Sequence, residues 1–419
     1  MSVHKQLTIG LFGFGVVGEG IYEVLNQTPS LNATIKKVCI KHADKKRNAP
    51  AALFTTDYND ILQDPEINLV VELIDDAAEA YKIVTGAFRH RKSVVSANKK
   101  LIAEHLPELV ALHRQHDVSF LYEAAVCGSI PIIRNLEEYY DNDLLQSISG
   151  IVNGSTNYIL TKMGEGLIYR QALQNAQQLG FAESNPELDV EGMDAANKLT
   201  ILLAHAYGIV AAPGQLVRTG ITRLHEADAA FAAEKNYRIK LTAQACKTAN
   251  GKVAAFVLPQ FITADSQLYN VQNEYNGVII ESKLADKQFL YGKGAGRYPT
   301  SSAVISDISA LSYDYRYEFK KLNRQEKYVL SNHYFLKVYV SFNDWTELNK
   351  WDFEQVIAFH STEERQYLTG IIHVEKLKNA AWYRDPSVSV ILLPEGMIDQ
   401  EAIVARSLKK VSLQLAGVH

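Results

Sequence analysis

Short apolar runs alternate with amphipathic stretches over the first 130 residues and predict a parallel α/β domain. Leu7–Phe12 has the pattern of a buried strand, and Glu19–Leu25 has helical spacing. Mostly apolar runs at Leu69–Ile74 and Ser93–Ala97 predict two further strands. Strands buried on both faces have this composition in parallel sheets. The pattern therefore indicates a Rossmann-type dinucleotide-binding domain, whose ligands bind beyond the carboxyl ends of the strands.

The rest of the chain predicts an α+β domain with a mixed sheet and a smaller C-terminal α+β region. Predicted strands lie at Phe120–Glu123, Ile148–Val152, Ile239–Ala245, Lys252–Val257, Tyr334–Phe342, Tyr367–Val374 and Val388–Leu393. Predicted helices begin near Ile132 and cover Ala195–Leu203, Ser301–Leu311, Trp351–Phe359 and Gln400–Leu408. Turn residues and changes of period separate these elements.

Composition narrows the class of protein. The chain has 419 residues, 47% hydrophobic and 21% charged, so two or three domains are expected. A net charge of −4 gives no electrostatic basis for binding nucleic acid or an anionic membrane. Cys39, Cys127 and Cys246 stand far apart without the spacing of a zinc site or a disulfide framework. With neither a signal peptide nor a long apolar run, we expect a soluble, cytoplasmic protein.

A glycine motif lies between the first strand and the first helix. Gly13-Phe14-Gly15-Val16-Val17-Gly18 has the spacing GxGxxG in the strand–turn–helix context that a dinucleotide-binding loop requires. In such a loop Gly13 permits the tight turn, Gly15 lets the pyrophosphate approach, and Gly18 allows close packing of helix and strand. We expect the whole hexapeptide and Ile74, at the end of a later strand, to contact the cofactor.

Basic residues follow the second predicted strand, Ile35–Ile40. An NAD-selective site usually has an acidic residue there for the ribose 2′-hydroxyl, whereas this chain has Lys41-His42 and then a basic cluster. A cation at Lys41 favours the 2′-phosphate of NADP, with NAD as the alternative cofactor. A solvated basic turn is the structural alternative. Lys99, after the strand Ser93–Ala97, is positioned to reach nicotinamide or substrate.

Four charged residues between Ala176 and Lys198 form the main candidate for catalysis. Glu183 and Asp189 precede a predicted helix in a loop, and Asp194 and Lys198 share one face of that helix at i,i+4 spacing. Three carboxylates and an ammonium suit a small zwitterionic substrate. The structural alternative is an acidic helix N-terminus with one surface ion pair.

Two loops could supply further ligands. Asn153, Gly154 and Thr156 open a helix and offer groups suited to a carboxylate. Glu123 lies in an apolar setting, and the nearby backbone carbonyls of Val126, Gly128 and Ile130 could join it around a monovalent cation.

Together these motifs resemble the homoserine dehydrogenase family over roughly residues 5 to 315. The matching segments are GFGVVG, SANKKL, YEAAVCGSIP, NGSTNYIL, the Ala176–Lys198 block and GKGAGRYPTSSAV. The resemblance implies reduction of aspartate 4-semialdehyde to homoserine with NAD(P)H, in threonine and methionine biosynthesis. It implies Lys198 as the proton donor and acceptor beside Asp194, and Lys99 as a second catalytic lysine. It further implies sodium at Glu123, substrate contacts from Glu183 and Asp189, and a cofactor contact from Gly296.

The resemblance also implies an organisation and a partner. We expect a dinucleotide-binding domain at 1–130, a substrate-binding and dimerisation domain at 131–298 and a returning helix at 299–320. An ACT-like domain is expected at 325–419, although Asn343-Asp344-Trp345 replaces the effector-binding turn, so dimerisation or a structural role is the alternative. The protein is expected to be a homodimer and a single-activity form without an aspartokinase segment.

Other differences from the family leave other readings open. Asp75-Asp76 replaces a glycine pair, and Cys127 and Ser129 replace glycines in the cation loop. The alternatives are a dehydrogenase for another amino-acid aldehyde or imine, and a catalytically silent nucleotide sensor.

Overall fold

The computed structural model describes residues 5–142, 144–361 and 365–398, which form two compact units. The first contains the described residues before Leu144 together with Thr200–Ala212 and Gly292–Lys327. The second contains Leu144–Leu199, Pro213–Tyr291 and the described residues from Tyr328 onwards. The predicted helix at 400–408 lies outside the described residues.

The strands alternate with helices in the N-terminal part and cluster after residue 235. The strands are β1 Leu7–Phe12, β2 Ala33–Cys39, β3 Phe54–Thr55, β4 Leu69–Glu72, β5 Ser93–Ser96, β6 Phe120–Leu121, β7 Leu145–Ile151, β8 Val217–Arg218, β9 Arg238–Lys247, β10 Val253–Ile262, β11 Tyr275–Ser282, β12 Asp286–Lys293, β13 Phe335–Phe342, β14 Phe353–Ser361, β15 Gln366–His373 and β16 Ser389–Ile398. The helices are α1 Val16–Gln27, α2 Asn59–Leu62, α3 Ala77–Arg89, α4 Lys99–Gln115, α5 Ile132–Glu137, α6 Gly154–Gly164, α7 Tyr169–Gln178, α8 Glu187–Val190, α9 Met193–Tyr207, α10 Glu226–Glu234, α11 Arg297–Leu311 and α12 Val374–Asn379.

The first unit is built on a six-stranded parallel sheet in the order β3-β2-β1-β4-β5-β6. Its central strands, β1, β4 and β5, are almost entirely buried, as expected for a sheet covered on both faces. The chain order reverses between β1 and β4, and such a switch point is where open α/β sheets bind ligands. The predicted parallel sheet is confirmed.

The second unit is built on a mixed sheet. Its path is β12-β11-β7-β9-β10-β16-β13-β15-β14, and β8 pairs with β10 outside this path. Most pairs are antiparallel, but β10 pairs in parallel with β8 and with β16. One apolar core joins residues from β10, such as Phe256, to residues from β13, β15 and β16, such as Val340. The strands that follow residue 328 therefore extend the sheet of the second unit.

Three local expectations from the sequence are wrong. Trp351–Phe359 was expected to be helical, but most of it belongs to β14, which pairs with β15 across two irregularities. Its β-branched and aromatic residues favour a strand, and cross-strand pairing decides the outcome. Glu123 follows the end of β6 in a short 3-10 helix, and Asp189 lies in the four-residue helix α8 instead of a loop.

Candidate active site

The glycine loop has the backbone geometry that cofactor binding requires. Gly13 has φ +95°, and a Cβ there would lie 2.9 Å from the Leu73 carbonyl oxygen. A Cβ on Gly18 would lie 2.4 Å from the Gly13 carbonyl oxygen, so only glycine lets α1 pack this closely on β1. A Cβ on Gly15 would meet nothing within 4 Å. Gly15 thus begins α1 with open space at the helix N-terminus, where a phosphate group is favoured.

The other residues of the glycine loop divide between core and surface. Phe14 is buried against the rings of Tyr22 and Phe54, with centroid separations of 5.9 and 5.1 Å. Val16 is exposed, and the carbonyl of Val17 accepts a hydrogen bond of 3.1 Å from the hydroxyl of Ser301 on α11. The glycine loop therefore packs on the core through Phe14, bonds to α11 through Val17 and is open at the N-terminus of α1.

A cavity of about 480 Å³ lies beyond the end of β2. Its lining includes Lys45, Arg47 and Phe54. The Arg47 guanidinium donates to the carbonyls of His42 and Lys45 at 2.6 and 2.7 Å and lies 5.5 Å from the Phe54 ring centroid. Lys41 is exposed at the start of this loop. Within the basic cluster that the sequence pattern indicated after this strand, Arg47 is the residue whose guanidinium is held by two backbone carbonyls.

The unexpected pair Asp75-Asp76 follows β4. Asp76 is the N-cap of α3 and accepts from the backbone N–H groups of Ala78 and Glu79 at 2.9 and 3.1 Å. These hydrogen bonds lower the pKa of its carboxyl, and the Lys41 charge adds to the effect. Asp76 therefore stabilises a helix terminus, as carboxylates do at N-caps. Nothing in the structure explains Asp75.

Asn98 fixes the loop that carries Lys99. Its side-chain oxygen caps α4 by accepting from Leu101 N at 2.9 Å, and its amide nitrogen donates to Ile74 O at 3.0 Å. Lys99 is the first residue of α4 and is half-buried. The side-chain amide of Asn98 thus links the segment after β4, which carries the expected cofactor residue Ile74, to the start of α4, which carries the expected catalytic residue Lys99.

Lys198 and Asp194 form a buried ion pair on α9. Lys198 is only 8% exposed, and its ammonium lies 2.7 Å from Asp194 Oδ2. The same ammonium donates to the carbonyl of Val152 at 2.7 Å. An exposed pair would rotate freely, whereas these two contacts hold the ammonium in one orientation. The i,i+4 contact predicted from spacing is thus present, and the Val152 carbonyl is a partner that the sequence pattern does not indicate.

Asn153 connects the acidic groups. Its amide nitrogen donates to Asp189 Oδ1 at 2.7 Å and to Asp194 Oδ2 at 2.8 Å. Its amide oxygen accepts from Thr156 N at 2.8 Å and so caps α6. The structure therefore brings Asn153, Thr156, Asp189, Asp194 and Lys198 into one network within the second unit.

Gly154 and Glu183 differ from the rest of the predicted site. Gly154 begins α6, and a Cβ there would lie 2.6 Å from the Glu274 carbonyl oxygen, so a larger residue would displace the backbone. The side chain of Glu183 is exposed in the loop before α8, and its carbonyl accepts from Gln177 at 3.0 Å. Among the described residues, no hydrogen bond or ion pair joins its carboxylate to the network.

The predicted cation residue Glu123 is buried in the first unit. It is 2% exposed, and its two carboxylate oxygens accept from Ile133 N at 2.7 Å and Arg134 N at 2.9 Å. A second buried carboxylate, Asp307 of α11, accepts from Glu123 N at 2.9 Å and pairs with the Arg134 guanidinium at 2.8 Å. The sequence pattern predicted that Glu123 needs a partner but did not identify Asp307 or Arg134.

Burial sets the electrostatics of this cluster. It raises the pKa of Glu123 to about 7, and the Asp307 charge adds to the rise. Burial also raises the pKa of Asp307 to about 6, against the opposing effect of Arg134. The Arg134 guanidinium pairs with Asp307, whereas Glu123 accepts from backbone N–H groups, so this group of charges has a net negative charge when both carboxylates are ionised.

The loop after Glu123 has a constrained backbone. Cys127 and Gly128 have φ values of +58° and +54°. A Cβ on Gly128 would lie 2.5 Å from the Gly294 carbonyl oxygen. Cys127 therefore occupies the left-handed region that favours glycine, while the Ser129 hydroxyl donates to Lys293 O at 3.1 Å. The Ile130 carbonyl accepts from Ile132 N at 2.9 Å. Val126 adopts extended backbone at the start of this loop.

Gly296 is the N-cap of α11 and has φ +116°. The helix that it begins packs against α1: Arg297 pairs with Glu23 at 2.6 Å. A Cβ on Gly20 of α1 would lie 2.5 Å from the Ser301 hydroxyl oxygen. Gly296 therefore begins the helix that packs directly on the helix of the glycine loop.

Comparisons with known proteins agree with this arrangement. The model of the homoserine dehydrogenase NAD-binding domain matches residues 13–123, and the homoserine dehydrogenase model matches residues 131–309. The chain is 40% identical to a homoserine dehydrogenase of Synechocystis over 311 residues, which is 72% of each chain. It is 35% identical to that of Bacillus subtilis over 322 residues, 74% of each chain.

Solved structures show the same similarity. A homoserine dehydrogenase from Thiobacillus denitrificans superposes with a TM-score of 0.82 at 29% identity, covering 93% of this chain and 98% of that one. A hyperthermophilic archaeal homoserine dehydrogenase mutant in complex with NADPH superposes with a TM-score of 0.63 at 25% identity, covering 74% and 99%. In the described part of this chain, no helix has the length and hydrophobicity to cross a membrane. The chain belongs to the homoserine dehydrogenase family, whose members are NAD(P)-dependent oxidoreductases that act on a CH–OH group.

Proposed function

We propose that this chain interconverts L-homoserine and L-aspartate 4-semialdehyde, with Lys198 as the proton donor and acceptor at the reacting oxygen. The observation that carries the assignment is the buried ammonium of Lys198, held by Asp194 and by the Val152 carbonyl. An ammonium has three N–H groups, so two fixed contacts aim the third. A preorganised cation stabilises the charge that develops on oxygen as the aldehyde is reduced, and then protonates it.

The nicotinamide, when bound, supplies the hydride to the aldehyde carbon or accepts it from the alcohol carbon. In the oxidation direction a neutral Lys198 amine takes the hydroxyl proton of homoserine while the C–H bond gives up its hydride. In the reduction direction the Lys198 ammonium returns that proton to oxygen. Lys99 is proposed as a second catalytic lysine, because it opens α4 at the carboxyl end of β5 in the cofactor-binding unit.

The substrate proposal uses the two charged ends of homoserine. Its carboxylate would bind at the first turn of α6, formed by Gly154 and Thr156, since a helix N-terminus favours anions. Its ammonium would bind Asp189, with Glu183 as a further ligand from the loop before α8. The support for Asp189 is its hydrogen bond to Asn153, which ties it to the Lys198 network.

NADP is the proposed cofactor, bound by Gly13–Gly18, Ile74 and Gly296. Lys41, assisted by Arg47, is proposed to bind the 2′-phosphate. Support comes from the cavity at the end of β2, whose walls include Arg47 and Lys45. Further support comes from the archaeal homoserine dehydrogenase that was solved in complex with NADPH. A planar guanidinium anchored by two carbonyls suits a phosphate group.

A monovalent cation, sodium, is proposed beside Glu123 with the carbonyls of Val126, Gly128 and Ile130. The single guanidinium of Arg134 pairs with Asp307 beside the buried carboxylate of Glu123, so a bound cation would balance the remaining negative charge. Carboxylate and carbonyl oxygens are also the ligands that hard cations prefer.

A homodimer in the cytoplasm, serving threonine and methionine biosynthesis, completes the proposal. Both terminal strands of the mixed sheet expose apolar residues, Tyr291 on β12 and Phe359 on β14. Such exposed apolar edges favour association. All three cysteines are free, as in a reducing compartment.

The test is homoserine-dependent reduction of NADP and, separately, of NAD by the purified protein at alkaline pH. Strong turnover with NADP is expected. Faster turnover with NAD would overturn the cofactor proposal and keep the reaction, and absence of turnover with both in a folded protein would overturn the reaction.

A further inference from the structure

We propose that Glu72, a buried carboxylate of β4, is a positioning residue that fixes the two loops carrying Ile74 and Lys99. The inference rests on the proposed function, because it assumes that cofactor and substrate react at these strand ends. It goes further in naming a residue that neither contacts the substrate in the proposal nor belongs to the glycine loop.

Glu72 lies at the last position of β4, in the middle of the parallel sheet. It is 0% exposed and pairs in register with Phe12 of β1 on one side and Ser96 of β5 on the other. One carboxylate oxygen accepts from Ile74 N at 2.7 Å, and the other accepts from the Ser96 hydroxyl at 2.6 Å. Both oxygens are therefore used inside the sheet, one for each neighbouring loop.

The contacts continue into a closed ring. The Ser96 oxygen accepts from Asn98 N at 3.1 Å, and the Asn98 side-chain nitrogen donates to Ile74 O at 3.0 Å. Glu72, Ser96, Asn98 and Ile74 thus form a cycle of hydrogen bonds across two strand ends. Asn98 also caps α4, whose first residue is Lys99. A shift of Glu72 would therefore reach Lys99 through two intermediate residues.

The direction of the hydrogen bonds explains why a carboxylate is needed. Ile74 N–H and the Ser96 hydroxyl are both donors to Glu72, and Ser96 can accept from Asn98 while its own proton points to Glu72. Glutamine would present an NH2 group to one of those donors. An apolar residue would leave two buried donors without an acceptor, which is costly in a low-dielectric interior.

Burial of a carboxylate lowers the stability of the fold, so stability does not explain why Glu72 occupies this position. Burial raises the pKa of Glu72 to about 7, and the Asp75 charge adds to the rise. An apolar side chain would suit this position in the centre of a sheet better. Departures from local rules are expected where function requires them. Here the functional requirement is to hold the ring of hydrogen bonds at the cofactor-binding edge.

The experiment compares Glu72→Gln, Ser96→Ala and the matched control Glu137→Gln with wild type. Glu137 is also a buried carboxylate of the first unit, held by His205 at 2.6 Å and by Phe319 N at 3.0 Å, neither of which belongs to the ring of Glu72, Ser96, Asn98 and Ile74. Each protein is tested for NADPH affinity by fluorescence, for Tm, and for the KM values of NADP and homoserine together with kcat.

Glu72→Gln is expected to weaken NADPH binding roughly tenfold and to lower kcat, with the KM for homoserine unchanged. Ser96→Ala keeps the carboxylate but breaks its link to Asn98, so a smaller loss in the same parameters is expected, even if Glu72→Gln fails to fold. Glu137→Gln should lower Tm and leave NADPH affinity at the wild-type value.

Two results would overturn the inference: wild-type NADPH affinity and kcat in Ser96→Ala and Glu72→Gln, or an equal loss of affinity in Glu137→Gln. In both cases wild type still binds NADPH and oxidises homoserine, so the proposed function stands. A folded wild-type protein that does neither would overturn the proposed function itself.

Discussion

The proposed cofactor site and the proposed substrate site are built from different parts of the chain. In the proposed cofactor site, backbone geometry is decisive: Gly13, Gly15 and Gly18 leave out side chains where the chain turns, at the open N-terminus of α1 and where that helix packs. In the proposed substrate site, side chains are decisive, since Asn153, the N-cap of α6, and Lys198 of α9 both meet Asp194 through side-chain contacts. In a site built from backbone, only substitutions of the glycines are expected to disturb binding. In a site built from side chains, substitution of any one partner is expected to disturb it.

The largest effect is expected at Gly18. In Gly18→Ala the new Cβ would lie 2.4 Å from the Gly13 carbonyl oxygen, so α1 must move away from β1. We expect a loss of roughly 1–3 kcal/mol in the free energy of unfolding together with loss of NADPH binding. Gly15→Ala is the matched control, because its Cβ meets nothing within 4 Å.

Gly15→Ala should keep the wild-type Tm and lose NADPH affinity, since its Cβ occupies the approach of the pyrophosphate. Thermal melts and fluorescence titration measure both quantities. Equal Tm values for the two variants would show that the glycine spacing does not reflect helix packing.

The next largest effect is expected at Asn153. Asn153→Ala removes the amide that joins Asp189 to Asp194, so kcat/KM for homoserine should fall roughly a hundredfold through misplacement of the ion pair. NADPH affinity should not change. The control is Asn157→Ala, one turn later on α6, which loses hydrogen bonds to Tyr275 O and Lys240. It should lower Tm and keep kcat/KM, and a similar catalytic loss in both variants would contradict the special role of Asn153.

A smaller effect is expected in coenzyme preference. Lys41→Glu should lower the ratio of kcat/KM for NADP to kcat/KM for NAD roughly tenfold, because a carboxylate repels the 2′-phosphate and can bond a ribose hydroxyl. Lys46→Glu makes the same change of charge at an exposed position of the loop. If both variants shift the ratio equally, the effect is general electrostatics instead of recognition by Lys41.

The smallest effect is expected in the pH dependence of stability. The pKa of Glu123 is raised from 4.5 to about 7, so its folded state favours the neutral form. The stabilising contribution is complete below the unfolded pKa and is lost as pH rises through about 7.

Glu123→Gln should flatten that profile, as measured by denaturant melts between the two pKa values.

A sodium ion at Glu123 favours the ionised form, so sodium should raise Tm more at alkaline pH than at acid pH when compared with choline at equal ionic strength. Equal effects of the two cations at every pH would contradict the sodium proposal.

The sequence predicted the features that depend on neighbouring residues. The glycine loop between β1 and α1 and the i,i+4 pair of Asp194 and Lys198 are local patterns, and both are present. Contacts between distant segments were not predictable: the Val152 carbonyl at Lys198, Asp307 beside Glu123, and Ser96 beside Glu72 come together only through the fold. Trp351–Phe359 was assigned to a helix because its pairing with β15 is also non-local.

The role of Lys198 in proton transfer is tested most directly by turnover and NADPH binding in Lys198→Ala, measured side by side with wild type. We expect kcat to fall at least roughly a hundredfold, as for loss of a general acid, while NADPH affinity stays within a few-fold of wild type. Near-normal kcat in the folded variant would show that Lys198 is not the proton donor and acceptor.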